Sequence, residues 1–161
     1  MSDVRGAATS MLEHEHPNTG PHSQARAEWL VEQIPALVNG DDDLLRRARW
    51  FDCQWIVKVG AQEFHLSQRA GRMSAIRRGP LFMAQWSFAL EASADAWHAF
   101  WQPVPEPGHH DILALSKTGL LKINGDITPL MRNLQVVKDV VATPRKLIAT
   151  HRASAQGQTN G

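Results

Sequence analysis

The chain has 161 residues, of which 43% are hydrophobic and 20% are charged, a composition that suits one globular domain with a real core. Its formal net charge at pH 7 is +1, which argues against a nucleic-acid-binding protein, since such domains are usually far more basic. A single cysteine, Cys53, excludes an internal disulfide framework.

Both ends of the chain are polar. Residues 1–22 are rich in Ser, Gly, Pro, Thr and His and show no periodicity, so we predict a flexible N-terminal tail; residues 147–161 predict a second flexible tail. The folded domain is therefore expected to span residues 23–146. Because the first residues lack an apolar segment and no apolar run approaches the length of a membrane span, we expect a cytoplasmic protein.

The domain is predicted to begin with helices. Residues 23–39 carry apolar side chains at helical spacing, with Pro35 inside the pattern as a predicted kink. Gly40 is a natural helix stop, and Asp41 with its two following aspartates favours a short second helix through Ala48.

Alternating segments follow these helices. Residues 51–59 and 63–68 alternate apolar and polar side chains, and residues 72–78 do so more weakly, which predicts an antiparallel meander of three strands. A fourth strand is predicted over residues 86–90. Ser93 is then a candidate N-cap for a helix with aromatic residues three and four apart, namely Trp97, Phe100 and Trp101.

The last third of the domain has the most informative pattern. A short helix over residues 111–117 precedes Gly119, and residues 119–127 predict a fifth strand ending in a turn at Asn124-Gly125. Thr128 is a candidate N-cap with Pro129 in the first helical position. The predicted final helix has an unusually broad apolar surface, formed by Leu130, Met131, Leu134, Val136, Val137, Val140 and Val141.

Such a helix must cover a neighbouring helix, a partner or a bound apolar molecule.

The predicted elements together define an α+β domain, because helices come before and after a five-stranded, mainly antiparallel sheet.

The chain resembles the sterol carrier protein type-two family of lipid-binding domains over roughly residues 28–145. The stretch 119–126, Gly-Leu-Leu-Lys-Ile-Asn-Gly-Asp, is similar to the strand and turn that precede the last helix of that family. Residues 93–100 resemble its helix after the fourth strand, and residues 51–79 fit its opening strands. The resemblance implies a five-stranded sheet covered by helices, with an apolar tunnel between sheet and helices.

The resemblance further implies non-catalytic binding, and transfer, of a fatty acid, acyl-CoA, sterol or phospholipid. It implies no catalytic residue, no cofactor and no metal site, with at most transient contact with a membrane surface; a dimer is compatible with it. The predicted ligand-binding residues, which in close packing would equally form a core, are Trp55, Phe82, Met83, Trp86, Phe88, Trp97, Phe100, Trp101, Leu113, Leu121, Leu130, Met131, Leu134 and Val137.

Two alternative functions arise from the residues themselves. His110 and Asp111 bring a base and a carboxylate together, so an enzyme acting on an apolar substrate at a pocket mouth is one alternative; Asp111 is equally placed to cap the next helix. The other is an accessory protein whose apolar last helix docks onto a partner.

Four arginines lie on or beside the third predicted strand: Arg69, Arg72, Arg77 and Arg78. They could bind a phosphate headgroup, a CoA phosphate or an anionic membrane surface. They could equally be a solvated sheet edge, whose charges discourage pairing with another chain.

Overall fold

The computed structural model describes residues 21–157. Its first half contains two helices and four strands: α1 (Pro21–Asn39), α2 (Asp42–Arg47), β1 (Cys53–Val59), β2 (Gln62–Arg69), β3 (Arg72–Met73) and β4 (Arg77–Arg78). Its second half contains two further strands and five further helices: β5 (Phe88–Ala92), α3 (Ala94–Phe100), α4 (Ile112–Lys117), β6 (Leu121–Gly125), α5 (Thr128–Arg132), α6 (Leu134–Ala142) and α7 (Pro144–Gly157).

One sheet joins all six strands in the order β3-β2-β1-β5-β6, with β4 also pairing with β2. The pairs are antiparallel except for β1 and β5, which run parallel. The α+β class and the mainly antiparallel sheet are therefore confirmed. The parallel pair arises because residues 79–87 cross from β4 on one side of β1 to β5 on its other side.

The third predicted strand is present but interrupted. Phe64 pairs with Arg78 and Gln68 pairs with Met73, so the segment opposite β2 contains one residue more than β2 itself. This mismatch is a β-bulge, which divides the predicted strand 72–78 into β3 and β4. Counted as one bulged strand, they give the predicted total of five.

The predicted cap at Ser93 is confirmed, and a second side-chain cap begins α2, where the three aspartates predicted a helix start. Asp41 Oδ1 accepts a hydrogen bond from the Leu44 amide at 3.0 Å, and Ser93 Oγ accepts one from the Ala96 amide at 3.1 Å. Each side chain satisfies a backbone donor that the helix itself leaves unpaired. α1 continues past Pro35 to Asn39, and Gly40 follows as predicted.

The core lies between one face of the sheet, called here the inner face, and the helices. In β1 the inner face carries Cys53, Trp55, Val57 and Val59, which are buried in one cluster with apolar residues of α1. The Trp55 ring stacks on Phe88 of β5 at 5.3 Å. Trp55 Nε1 donates to buried Gln68 Oε1 at 3.1 Å, so its polar atom is satisfied inside the core.

The C-terminal helices differ from the prediction in two respects. The predicted final helix is divided into α5 and α6 at Asn133, and the N-cap of α5 is Ile127 rather than Thr128. Asp126 Oδ1 accepts the Thr128 amide at 2.9 Å, so this carboxylate rather than the Thr128 side chain satisfies the first donor.

The predicted tails also differ where the structure describes them. α1 begins at Pro21, whereas the tail was predicted to end at residue 22, and α7 extends the chain as a helix to Gly157 where a tail was predicted from residue 147. Ile148 is buried and anchors the first part of α7; the rest is polar, and that polarity suggested a tail. Residues 1–20 and 158–161 lie outside the described residues.

Candidate functional site

The predicted ligand-binding residues divide into three groups in the structure. Leu113 and Leu134 are half-buried, and four residues are exposed: Phe82, Met83, Trp86 and Met131. The others are no more than 2% exposed: Trp55, Phe88, Trp97, Phe100, Trp101, Leu121, Leu130 and Val137. The buried group thus lies in the core between the inner face and the helices, whereas the exposed group lies at the protein surface.

Aromatic residues of α3 form the centre of the buried group. The Trp97 and Trp101 rings stack at 5.4 Å, and Phe100 meets Trp97 edge-on at 5.8 Å. Trp101 Nε1 donates to the Val141 carbonyl oxygen at 2.8 Å, and Trp97 Nε1 donates to the Lys58 carbonyl oxygen at 3.0 Å. These bonds tie α3 to α6 and to β1, so the aromatic set has a structural role.

The segment from Leu120 to Leu134, which spans β6, α5 and the start of α6, carries partly exposed apolar side chains. We call this surface the apolar rim; it consists of Leu120, Ile123, Ile127, Met131 and Leu134. β6 is an edge strand that pairs only with β5 in the described sheet, and Leu134 packs against the core from the start of α6. Ile123 and Leu134 are therefore the rim residues that lie partly in solvent and also pack against the core.

α5 is the shorter of the two helices at the rim. It contains five residues, its first amide donates to Asp126 Oδ1, and it ends at Asn133 before α6 begins. Its buried side chain is Leu130, while Met131 points to solvent. A helix this short has little stability of its own, so its position depends on the packing of Leu130.

The exposed aromatic residues belong to the crossover, residues 79–87. Phe82 is 95% exposed and Met83 is 84% exposed, so neither joins the buried group. Trp86 is partly exposed, and its ring lies against Gly125, where an added Cβ would come within 2.7 Å of Trp86 Cζ3. Composition alone could not separate these residues from core residues, because the crossover has no periodicity.

Two adjoining cavities that were not predicted from the sequence lie where the crossover meets β1 and β2, and their linings include residues of both sheet faces. One, of about 400 Å³, is lined by residues including His65, Arg77 and Gln85. The other, of about 460 Å³, is lined by residues including Asp52, Arg69 and Trp86. Both are lined by Gln54, Ser67 and Gln85, and we call them together the outer groove. The alternation in β1 and β2 marked Gln54 and Ser67 as outward-facing, but no sequence pattern showed that the crossover lies beside them.

Asp111 acts as a helix cap, as one of its two interpretations predicted. Its Oδ1 accepts hydrogen bonds from the Leu113 and Ala114 amides at 2.7 and 2.9 Å, and its Oδ2 lies 3.5 Å from both Lys138 Nζ and His110 Nε2. Burial by itself raises the pKa of Asp111, but the two amides and Lys138 outweigh it and hold this pKa below its usual value. Both oxygens are engaged, so the geometry favours a structural carboxylate over a general base.

We expect Asp111→Ala to lower the free energy of unfolding by about 1 kcal/mol at pH 7, as is usual for loss of a cap. Because folding lowers the pKa of Asp111, its contribution is present above the unfolded value near 3.9 and is lost as the pH falls through the folded value. Urea titrations at pH 7 and pH 3 should show the difference from the parent shrinking in acid. Glu106→Ala, in the preceding loop, is the control and should show no such difference; an equal effect of both substitutions would contradict the capping role.

Cys53, the one cysteine of the chain, is buried. Burial raises the pKa of the Cys53 thiol, which favours its unreactive protonated form. Within residues 21–157, no three His, Cys, Asp or Glu side chains are arranged to hold a metal ion.

None of the helices described within residues 21–157 combines the length and the apolar character needed to cross a membrane.

No protein-family model and no curated protein matches the chain. Solved structures do match. A crystal structure of sterol carrier protein 2 is 17% identical, with a TM-score of 0.57, and the match covers 72% of this chain and 93% of that chain. A conserved hypothetical protein from Thermus thermophilus, suggested to be a sterol carrier protein, is 17% identical with a TM-score of 0.55, covering 74% of this chain and 86% of that chain. The chain therefore has the fold of sterol carrier protein 2, which confirms the resemblance carried by residues 119–126 at the level of fold.

Proposed function

We propose that this protein is a non-catalytic lipid-binding protein that takes up the acyl chain of a fatty acid or acyl-CoA, or a sterol, between the inner face of the sheet and helices α5 and α6. The observation that carries the proposal is the fold, which aligns with 93% of the sterol carrier protein 2 chain. The apolar rim supports it, because partly exposed side chains lead there from solvent toward the buried group.

The ligand would enter by displacement of α5. The aromatic residues of α3 are packed, and two of them are hydrogen-bonded, whereas α5 contains five residues, buries one side chain, Leu130, and is joined to α6 at Asn133. Moving α5 outward would withdraw Leu130 from the core and open the space between Leu121 and Val137. Lids of this kind commonly move as a unit about their end residues.

The free energies favour a long apolar ligand. Exposing Leu130 costs about 1.5–3 kcal/mol, and each buried methylene contributes about 0.8 kcal/mol, so about two to four methylenes offset the displacement. In longer acyl chains, burial of the additional methylenes contributes to the binding affinity. The proposal therefore favours ligands recognised by apolar length, and it requires no catalytic group, cofactor or metal. We also propose that the protein works in the cytoplasm and passes its ligand on.

A substitution at the apolar rim tests this proposal. Leu134→Glu places a charge where the acyl chain would enter, and we expect it to weaken binding of a fluorescent fatty acid at least tenfold. Gln135→Glu adds the same charge one residue away on an exposed position and should change affinity less than twofold.

Circular dichroism melts of both variants show whether they remain folded. If Leu134→Glu does not fold, Leu134→Ala replaces it, with a smaller expected loss. Failure of the parent protein to bind any acyl or sterol probe would contradict the proposal.

A further inference from the structure

We propose that the crossover and the outer groove dock onto an anionic phospholipid bilayer. In this arrangement Phe82 and Met83 enter the headgroup region, and Arg69, Arg72 and Arg77 bind lipid phosphates. The membrane would be a docking surface, distinct from the interior site proposed for a single lipid.

Three arginines lie together on the outer face. Arg69 pairs directly with Arg72 across β2 and β3, and Arg77 pairs with His65 across β2 and β4. Since His65 and Arg69 are separated by an even number of residues along β2, their side chains and those opposite them share one face. Two like charges directly opposite each other destabilise a sheet, so the Arg69–Arg72 pair brings no benefit to folding.

These arginines have no carboxylate partner among the described residues, which distinguishes them from Arg78. Arg78 lies on the other face and pairs with Glu28 at 2.8 Å and Glu32 at 2.6 Å. Within residues 21–157, no ion pair involves Arg69, Arg72 or Arg77. Arg78 is therefore held by two glutamates, whereas the other three arginines remain available to an anionic partner.

The carboxylates that face this region do not neutralise it. Asp52 lines the outer groove and accepts a hydrogen bond from the Ala70 amide, and Glu63 lies 3.3 Å from His65 Nε2. These contacts do not remove the two negative charges, but the three guanidinium groups outnumber the two carboxylates. The surface therefore carries a net positive charge, which is what an anionic bilayer attracts.

Exposed apolar side chains lie beside these charges. Phe82 and Met83 are adjacent and almost fully exposed in the crossover, and Trp86 follows with part of its ring in solvent. Arg69 lines one cavity of the outer groove with Gln85 and Trp86, and Arg77 lines the other with Gln85, so the end of the crossover adjoins these two arginines.

Aromatic and apolar side chains beside basic residues are typical of protein surfaces that bind at the membrane interface. Docking would also bring the lid to the bilayer. The Trp86 ring contacts Gly125 at the end of β6, just before α5 begins. A protein docked through the crossover would therefore hold α5 near the lipid surface.

Vesicle co-sedimentation tests the docking surface. We expect the parent protein to bind vesicles containing phosphatidylglycerol at least tenfold more tightly than pure phosphatidylcholine vesicles, with binding weakened by salt. The triple variant Arg69→Gln, Arg72→Gln, Arg77→Gln should lose at least tenfold in binding, since each basic residue near an anionic surface contributes roughly fivefold. The double variant Phe82→Ser, Met83→Ser should also lose at least fivefold.

Matched controls carry the same changes elsewhere. The triple variant Arg26→Gln, Arg49→Gln, Arg152→Gln removes the same charge from other exposed positions, and Val104→Ser removes an isolated apolar side chain that is 87% exposed. Both should bind within about threefold of the parent.

Equal binding by the two triple variants, or no preference of the parent for anionic vesicles, would overturn the proposal, as would unchanged binding by the Phe82 and Met83 variant. All variants should take up the fluorescent fatty acid normally in the absence of vesicles, which separates failure of docking from failure of the proposed lipid site.

Discussion

Replacing Trp101 by alanine is expected to lower the free energy of unfolding by about 3–5 kcal/mol, the range for truncation of a large buried aromatic residue. Trp101 is fully buried, stacks on Trp97 at 5.4 Å and donates its indole N–H to the Val141 carbonyl oxygen. The substitution removes the ring, the stacking and the bond that ties α3 to α6. Urea denaturation followed by circular dichroism measures the loss.

Two further substitutions show how much of this loss of stability comes from the Val141 hydrogen bond and how much from burial of the ring. Trp101→Phe keeps most of the packing but leaves the Val141 oxygen without its donor, and we expect it to cost about 1–3 kcal/mol. Trp50→Ala changes a tryptophan that is 81% exposed and should cost less than about 1 kcal/mol. A Trp101→Ala variant as stable as Trp50→Ala would contradict the packing described for α3.

Gly125→Ala is the second substitution expected to have a large effect, lowering the free energy of unfolding by about 3 kcal/mol or more. Gly125 has φ +89°, which strains any residue with a Cβ, and its added Cβ would meet the Ser87 carbonyl oxygen and the Trp86 ring. The Ser87 oxygen also accepts the Asp126 amide at 2.7 Å, so it cannot retreat without loss of that bond. The clash adds about 1–3 kcal/mol to the backbone strain.

Gly119→Ala is the matched control, because it has almost the same backbone conformation without the crowding. Its φ is +80°, and nothing lies within 4 Å of an added Cβ. We expect a loss of about 1–2 kcal/mol from strain alone. Thermal or urea unfolding of the two variants compares them directly; equal losses would show that Trp86 and Ser87 do not press on Gly125.

The stretch from Gly119 to Asp126 predicted much of the fold because its physical constraints are local. A strand, a glycine with positive φ and a following helix leave few arrangements, and Gly125 does adopt φ +89° at the end of β6. The caps at Asp41, Ser93 and Asp111 were predictable for the same reason, since each side chain bonds amides two or three residues ahead.

Features that depend on distant contacts were not predictable. No local pattern indicates that residues 79–87 cross the sheet, so the parallel pairing of β1 with β5 and the outward position of Phe82 and Met83 could not be foreseen. The apolar pattern after Thr128 is continuous, yet the chain divides into α5 and α6 at Asn133. Periodicity reports which face is apolar and does not report where a helix divides.

In the candidate site, too, the sequence pattern predicted which residues are apolar but not which of their side chains are buried. Leu121, Leu130 and Val137 are buried in the core that includes the inner face. Met131 follows Leu130 directly but points to solvent, because successive residues of a short helix face different directions. Whether a tunnel opens beside Leu130 depends on the movement of α5, which belongs to the proposed function.

Native mass spectrometry of the full-length protein, purified without detergent and then mixed with one equivalent of a long-chain fatty acid, tests the central claim most directly. We predict a single added mass equal to one ligand, either co-purified or supplied, and its loss in the Leu134→Glu variant but not in Gln135→Glu. Bare protein with both a fatty acid and a sterol, even in excess, or multiple ligands bound equally to both variants, would contradict an interior lipid site.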